Sequence, residues 1–510
     1  MVDHSPVAGE ILVRTATSSL CGPLSVPGIA GCGGPRTVAG LIVSGEVSLA
    51  TAVPCRSNGG AIAAHELGHA FGLSHYTGTV GGLRQLMYPT TESKAPTFRA
   101  GDRAGLRTLA GTLQLEVSAA LGPPNADQLL TSYFSPSAAG RVLDTRSGLG
   151  LAEAFAAGTS RTLNLSGALG SAQLDAVVLN LTATGTQGAG YVVAHAQGTA
   201  VPDTSVLNFV GGRDAANFAI VELGPGNTIT LGVEDGSADL VADVLGTFSA
   251  DGPGGFVPMT PTRLFDTRRS DIPGERGFPL GCSDAALSDP TVLAAAGIDL
   301  SSALGEIVNV TATDTSNSGY VSLLDGAGGP ADGEPATSVL NVVGGETRAN
   351  LSITPSAQWW IQLGPSLTGD VIVDATGWFA PLADRPDGAG FLAVDPQRVV
   401  DTRGGIGLPG VLAAGTEYSV PMPLPAGVSA ARIAAVVANL TVVGPSGEGY
   451  LVAWASGAPI PATSNVNYLA GSVVPNGAVI PTGSTGAVSF TVSGGAPHVL
   501  VDVVGYFVRP

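Results

Sequence analysis

Three of the six histidines in this chain of 510 residues lie within one run of twelve, A-H-E-L-G-H-A-F-G-L-S-H. His65 and His69 are four residues apart, so on a helix they lie on one face and can bind one metal ion. Gly72 can adopt the left-handed conformation that ends a helix, which lets the chain turn and bring His75 to the same ion. Three imidazole nitrogens leave one tetrahedral position for water, which is typical of a catalytic zinc site.

Glu66, next to the first of these histidines, is the natural general base for that water. The alternative is an ordinary buried helix with incidental histidines, but the fixed spacing of five residues favours the metal site. The sequence therefore predicts a zinc-activated water that acts as a nucleophile. We expect the substrate to lie along an edge strand within Thr37 to Thr51 by strand addition.

The elements around this run are predicted from residue type and periodicity. Residues 8–53 are rich in β-branched residues punctuated by Gly and Pro, which predicts strands and loops. Residues 61–73 are the best predicted helix, and Gly101 to Leu109 predicts a short closing helix.

The pattern H-E-x-x-H-x-x-G-x-x-H, followed by L-M-Y-P at residues 86–89, resembles the metzincin zinc endopeptidases and most closely their matrixin branch. The resemblance implies an α+β catalytic domain, one catalytic Zn²⁺ and protein or peptide substrates. It also allows structural Ca²⁺, for which no ligands are identified. By position, it assigns three zinc ligands, a base, a bend and a methionine beneath the metal: His65, His69, His75, Glu66, Gly72 and Met87.

The sequence departs from the matrixin pattern at its beginning, because only 64 residues precede His65. Tyr76 also stands where branches of the clan carry a more diagnostic residue. Either the missing part of the fold and a signal peptide lie upstream, or this chain is a reduced or inactive version of the fold, and we favour the first interpretation. The chain is therefore interpreted as an N-terminally incomplete form of a secreted protein, although it carries no signal peptide itself.

The rest of the chain is an internal repeat with three copies. Each copy opens on an Arg-x-x-Asp-Thr-Arg element, and the three aspartates, Asp144, Asp266 and Asp401, are 122 and 135 residues apart. Each copy then carries Asn-x-Thr, a Gly-Tyr pair, a T-S-x-x-N segment and a closing G-x-F. Such repeats resemble those appended to exported actinobacterial proteins. A period of this length is a domain, and the short apolar strands between Gly-rich turns predict a β-sandwich.

Two of the repeated sequence elements each have two possible interpretations. The Asp-Thr-Arg element either presents charges to a ligand or forms an internal ion pair that fixes a turn, and we favour the ion pair. The Asn-x-Thr triplets match the glycosylation sequon. Because they recur at one place in every copy, we favour side chains that hydrogen-bond within the fold. His195 and His498 occur in single copies and are expected at the surface.

The predicted fold is thus an α+β metzincin-like zinc protease segment followed by three all-β sandwich repeats. The expected boundaries are 1–112 for the protease segment, 113–131 for a linker, and 132–250, 255–381 and 389–510 for the repeats.

The charge is unevenly distributed. Residues 1–112 carry eight basic and six acidic side chains, and residues 113–510 carry fourteen basic and thirty-four acidic ones. The acidic repeats argue against nucleic acid and anionic membranes as partners, and no apolar run reaches the roughly 18 residues of a membrane span. Cys21 and Cys32 could form a local disulfide, whereas a pairing of Cys55 with Cys282 is a guess and four free thiols are the alternative.

Two functions from different classes follow. The first is a secreted zinc metalloendopeptidase with Glu66 as general base. The second is a non-catalytic surface or cell-wall binding protein with a truncated protease segment, in which the β repeats bind a cell-wall or glycan ligand.

Overall fold

The computed structural model describes short ranges near the start of the chain and most of the chain after residue 130. The ranges are 11–16, 18–19, 22–23, 31–38, 41–50, 79–80, 83–84, and 131–510 except 269–284, 300, 327–334, 336 and 426. The chain divides into two compact units. The first contains the described strands before residue 85, and the second comprises Leu129–Gly326 and Pro335–Pro510.

The described strands of the first unit are short and form three small sheets. They are β1 Ile11–Ala16, β2 Ser18–Ser19, β3 Gly22–Pro23, β4 Gly31–Val38, β5 Leu41–Ala50, β6 Thr79–Val80 and β7 Leu83–Arg84. β5 lies between β1, which it pairs with in parallel, and β4, which it pairs with antiparallel. The prediction of an edge strand within Thr37 to Thr51 is therefore wrong, because β5 occupies most of that range and both of its edges are paired.

The regular secondary structure of the described residues is almost entirely β-strand. They contain two short α-helices, α1 Ser166–Leu169 and α2 Pro290–Ala295, and one 3₁₀ turn at Ala430–Arg432. The expected α+β metzincin-like fold is not seen in them, so that prediction is wrong. The predicted helices at 61–73 and Gly101 to Leu109 lie outside the described residues. The expected domain boundaries stay predictions.

The second unit contains the three repeats, and each contributes four antiparallel strands of the same order to the large sheets. The four strands of the first repeat and the four of the second join in one eight-stranded sheet, where Gly254 pairs with Phe134. In the first repeat the order is β13-β10-β15-β8, in the second β21-β18-β23-β16, and in the third β29-β26-β31-β24. Their bounds are β8 Tyr133–Asp144, β10 Ala176–Gln187, β13 Ala215–Glu222, β15 Ser237–Ser249, β16 Gly254–Asp266, β18 Gly305–Thr313, β21 Arg348–Ile353, β23 Asp370–Pro381, β24 Gly390–Asp401, β26 Ile433–Val443, β29 Val473–Pro481 and β31 His498–Val508.

Each repeat also has a small sheet of four strands, again in one common order, β12-β11-β14-β9 in the first repeat. The bounds are β9 Thr159–Asn164, β11 Gly190–Ala196, β12 Leu207–Phe209, β14 Thr228–Glu234, β17 Ala285–Leu287, β19 Gly319–Asp325, β20 Leu340–Val342, β22 Trp359–Leu363, β25 Tyr418–Pro421, β27 Gly449–Ala455, β28 Val466–Tyr468 and β30 Ala487–Val492. One hydrophobic core per repeat collects side chains from both of its sheets, so the two sheets pack face to face.

The large sheets are buried on both faces, since a fourth core collects their outer sides from all three repeats. This explains why β10, β18 and β26 have nearly continuous apolar sequences, as strands covered on both faces do. β18, for example, is buried at all of its nine residues.

Six phenylalanines lie at the centre of this fourth core, two from each repeat. Three stacked ring pairs each join two different repeats, with centroid separations of 4.0, 4.6 and 4.2 Å: Phe134–Phe379, Phe248–Phe391 and Phe256–Phe507. The pairs link the first repeat to the second, the second to the third and the third to the first. The repeats therefore form a closed three-fold arrangement within one unit.

Candidate functional site

The residues predicted to form the zinc site lie outside the described residues. These are His65, Glu66, His69, Gly72, His75 and Met87, and the side chains of the four cysteines lie outside them too. Within the described part of the chain, no group of three or more His, Cys, Asp or Glu side chains could hold a metal ion. None of the described helices is long and apolar enough to cross a membrane.

The Asp-Thr-Arg elements are internal ion pairs, as favoured from the sequence. In the third repeat, Arg403 donates from Nη2 to Asp401 at 2.7 Å, and its Nε also contacts this carboxylate at 2.9 Å. Arg398, at the start of the element, donates from Nε to Asp502 on the neighbouring strand at 2.8 Å. The same pairs occur in the first and second repeats at 2.7 to 3.0 Å. The element fixes the turn after the first strand of each repeat.

Hydrogen bonding lowers the pKa of the aspartate in this element, and burial raises the pKa of the aspartate on the neighbouring strand. The hydrogen bonds from Arg403 lower the pKa of Asp401 to about 2. Burial raises the pKa of Asp502, although Arg398 donates to both of its oxygens. The charges of Arg398 and Arg403 are thus each matched by one carboxylate.

The asparagines of the Asn-x-Thr triplets, Asn180, Asn309 and Asn439, are buried and hydrogen-bonded between repeats. Each accepts from a second buried asparagine of a neighbouring repeat, at 2.9 Å from Asn350, 2.8 Å from Asn476 and 2.9 Å from Asn217. Each also donates to a backbone carbonyl of that neighbour, on Ser338, Ser464 or Ser205. These carboxamides are inaccessible to a glycosylating enzyme, and they link the three repeats.

Several cavities open where repeats meet, and two of them are the largest of those between described residues. One of about 550 Å³ is lined by residues of all three repeats, including Arg213 and Glu346, which form an ion pair at 2.8 Å. The other, of about 510 Å³, lies between the first and third repeats. Eight of its lining residues carry polar or charged side chains: Tyr191, Asp203, Thr204, Ser205, Asn208, Glu234, Arg398 and Arg403.

Sequence reasoning missed Asp203 and Glu234, because its motifs were the features shared by the three copies. His195, expected at the surface, is only 8% exposed, and its Nδ1 lies 3.1 Å from Thr199 Oγ1. The signal that could have found the two acids was a comparison of the copies for residues present in only one.

No protein-family model and no curated protein matches this chain. Among solved structures, a triple jelly-roll turret protein of an archaeal virus is 9% identical, with a TM-score of 0.14, covering 68% of this chain and 82% of that one. A CBM22 tandem domain of Xyn10C from Paenibacillus barcinonensis is 10% identical, with a TM-score of 0.14, covering 50% and 98%. Likenesses this low carry no inference about function.

The resemblance to metzincins is corrected by these findings. No family model supports it, and the described residues form an almost wholly β structure without a metal-binding cluster. A sequence motif of twelve residues can predict local chemistry, whereas a family assignment requires a fold around it.

Proposed function

We propose that this chain is a secreted zinc-dependent endopeptidase that hydrolyses peptide bonds of proteins. The observation that carries the proposal is the spacing of His65, Glu66, His69, Gly72 and His75. It rests on these side chains alone, and no family membership is needed for it.

The donor set fits zinc, because three neutral imidazoles are the ligands of many catalytic zinc sites. When bound, the ion lowers the pKa of a water molecule to about 7. His65, His69 and His75 would hold the ion, and Glu66 would accept the proton of the attacking water and then donate it to the leaving amine nitrogen. In this proposal the three β repeats are the non-catalytic body of the enzyme.

The replacement Glu66→Ala tests the role of the base. We expect it to retain zinc and to lose at least about a hundredfold in cleavage of an unstructured protein such as casein, since general bases contribute that much or more. Glu46→Gln, outside the motif, is the control and should cleave normally. Full activity in Glu66→Ala would refute the assignment.

The second candidate is a non-catalytic surface or cell-wall binding protein. It is favoured by the size of the repeat unit, which spans about three-quarters of the chain, and by the open cavities between its repeats. The zinc content of the purified chain tests this candidate, because a correctly folded chain without zinc leaves the repeats as the functional part.

A further inference from the structure

The cavity between the first and third repeats combines residues that the three copies share with residues that occur in one copy alone. Tyr191 corresponds to Tyr320 and Tyr450 by position, and Asn208 corresponds to Asn341 and Asn467. In each repeat the tyrosine and the asparagine lie opposite each other on two paired strands of the small sheet. Residues kept in every copy are explained by the common fold.

The two acids of this cavity are not part of the common pattern. Asp203 corresponds to Ala336 in the second copy and to Ala462 in the third. Glu234, which pairs with Tyr191 across the sheet, corresponds to Gly364 and Ser493. Because two copies of the same fold form without them, neither carboxylate is required by the architecture.

Several hydrogen-bonding groups in the cavity are unused within the described part of the chain. Asp203 and Glu234 make no ion pair there, and the Tyr191 hydroxyl has no hydrogen-bond partner there. Asn208 accepts from Ser205 Oγ through its Oδ1 at 3.1 Å, which leaves its amide N–H groups for another acceptor. The cavity thus offers two carboxylates, an amide donor and an amphipathic ring.

Charge restricts the ligand class. The two arginines of the cavity are each matched by a carboxylate of their own repeat, so Asp203 and Glu234 leave an excess of negative charge. Such a site disfavours anionic polymers. Its free carboxylates can accept hydrogen bonds from the hydroxyl groups of a ligand, and its tyrosine ring offers an apolar face beside them.

We propose that this cavity is a binding site for a neutral oligosaccharide. Asp203 and Glu234 accept hydrogen bonds from sugar hydroxyls, the Asn208 amide donates to a hydroxyl or ring oxygen, and Tyr191 contacts the C–H face of a sugar ring. Its volume of about 510 Å³ lies within the usual range of small-ligand sites. The proposal gives a ligand class to the binding role of the second candidate function and is independent of zinc.

The test uses the full chain and isothermal titration with cellohexaose and chitohexaose as neutral probes and hexagalacturonate as an anionic probe. We expect at least one neutral hexasaccharide to bind at one site per chain and the anionic one to bind at least tenfold more weakly. Asp203→Ala and Glu234→Ser install the residues that the third copy has at these positions, so we expect both variants to fold. Each should weaken binding about tenfold or more, as expected for loss of a hydrogen bond to a charged group.

Tyr191→Ala and Tyr450→Ala form the matched pair of ring variants. Tyr450 holds the equivalent strand position in the third repeat, without acids at the positions of Asp203 and Glu234. We expect Tyr191→Ala to abolish binding and Tyr450→Ala to leave it unchanged. Equal loss in both variants would overturn this location, and so would undiminished binding in the two acid variants. Failure of both neutral probes to bind, or tighter binding of an extended peptide, would overturn the ligand class. The second candidate function, a non-catalytic binding protein, could then still bind a ligand elsewhere on the chain.

Discussion

Glu306 is a fully buried carboxyl in the core of the second repeat, at the position of Val177 and Val436 in the other copies. Burial raises its pKa to about 8, and the hydrogen bond that Thr354 Oγ1 donates to the carboxyl offsets only part of this effect. The folded state therefore holds a proton that the unfolded state releases above its ordinary pKa of 4.5. The free energy of unfolding must then fall as the pH rises from about 4.5 to about 8.

Replacing this carboxyl by an amide removes the titration. We expect Glu306→Gln to flatten the pH dependence in that window and to unfold at higher denaturant than the parent at pH 8. Urea titrations between pH 5 and pH 9 measure this, with the exposed Glu448→Gln as the control. Parallel pH profiles of the parent and Glu306→Gln would contradict the assignment.

Asn350 is a buried residue whose side chain makes three hydrogen bonds. It donates to Asn180 Oδ1 and to the carbonyl of Val339, and it accepts from the backbone N–H of Phe218. Asn350→Ala leaves these groups unpaired, each at a cost of about 1–3 kcal/mol. We expect a loss of at least about 3 kcal/mol in urea unfolding, and less than about 0.5 kcal/mol for the exposed Asn317→Ala. Similar stabilities for the two variants would show that the asparagine links are dispensable.

At the scale of elements, geometry explains why the closing strand of each repeat has a glycine in its G-x-F sequence. Gly246, Gly377 and Gly505 each lie against a phenylalanine ring of the same repeat's first strand, so that an added Cβ would overlap Phe134, Phe256 or Phe391. The glycine thus lets the first and last strands of a repeat approach closely enough to place both of its phenylalanines in the central core.

Gly505→Ala should therefore force the Phe391 ring out of its position and disturb the core shared by all repeats. We expect a destabilisation of about 1–3 kcal/mol or more, in the range of overpacked cores. Gly404→Ala is the matched control, since nothing lies within 4 Å of its added Cβ. Thermal unfolding of both variants measures the difference, and an unchanged transition for Gly505→Ala would contradict the account.

The sequence predicted the number of repeats, their β character and the turn-fixing ion pair, because these depend on local pattern and on recurrence. It did not predict that Asn180 meets Asn350, or that Phe134 stacks on Phe379, since these partners are 170 and 245 residues apart. It also placed an edge strand where β5 is central, because pairing on both edges is decided by neighbours that a strand's own residues do not specify. The α+β prediction was wrong because the fold of a whole domain was inferred from one short motif and the methionine turn after it.

At the scale of the whole molecule, the three repeats are joined by ring stacks, asparagine pairs and short backbone bridges in one cyclic pattern. Ser132 and Phe391 exchange two backbone hydrogen bonds, which connect the start of the first repeat to the start of the third. No described part of this closed unit carries a metal-binding cluster. The proposed chemistry is thus assigned to the first unit and the proposed glycan binding to the second.

The zinc content of the purified full chain, measured by mass spectrometry of a preparation without a histidine tag, tests the peptidase proposal most directly. The proposal predicts about one zinc per chain, lost in His69→Ala and retained in His4→Ala, a histidine outside the motif. A correctly folded chain without zinc, or equal zinc in the parent and His69→Ala, would contradict it and leave the binding protein as the remaining candidate.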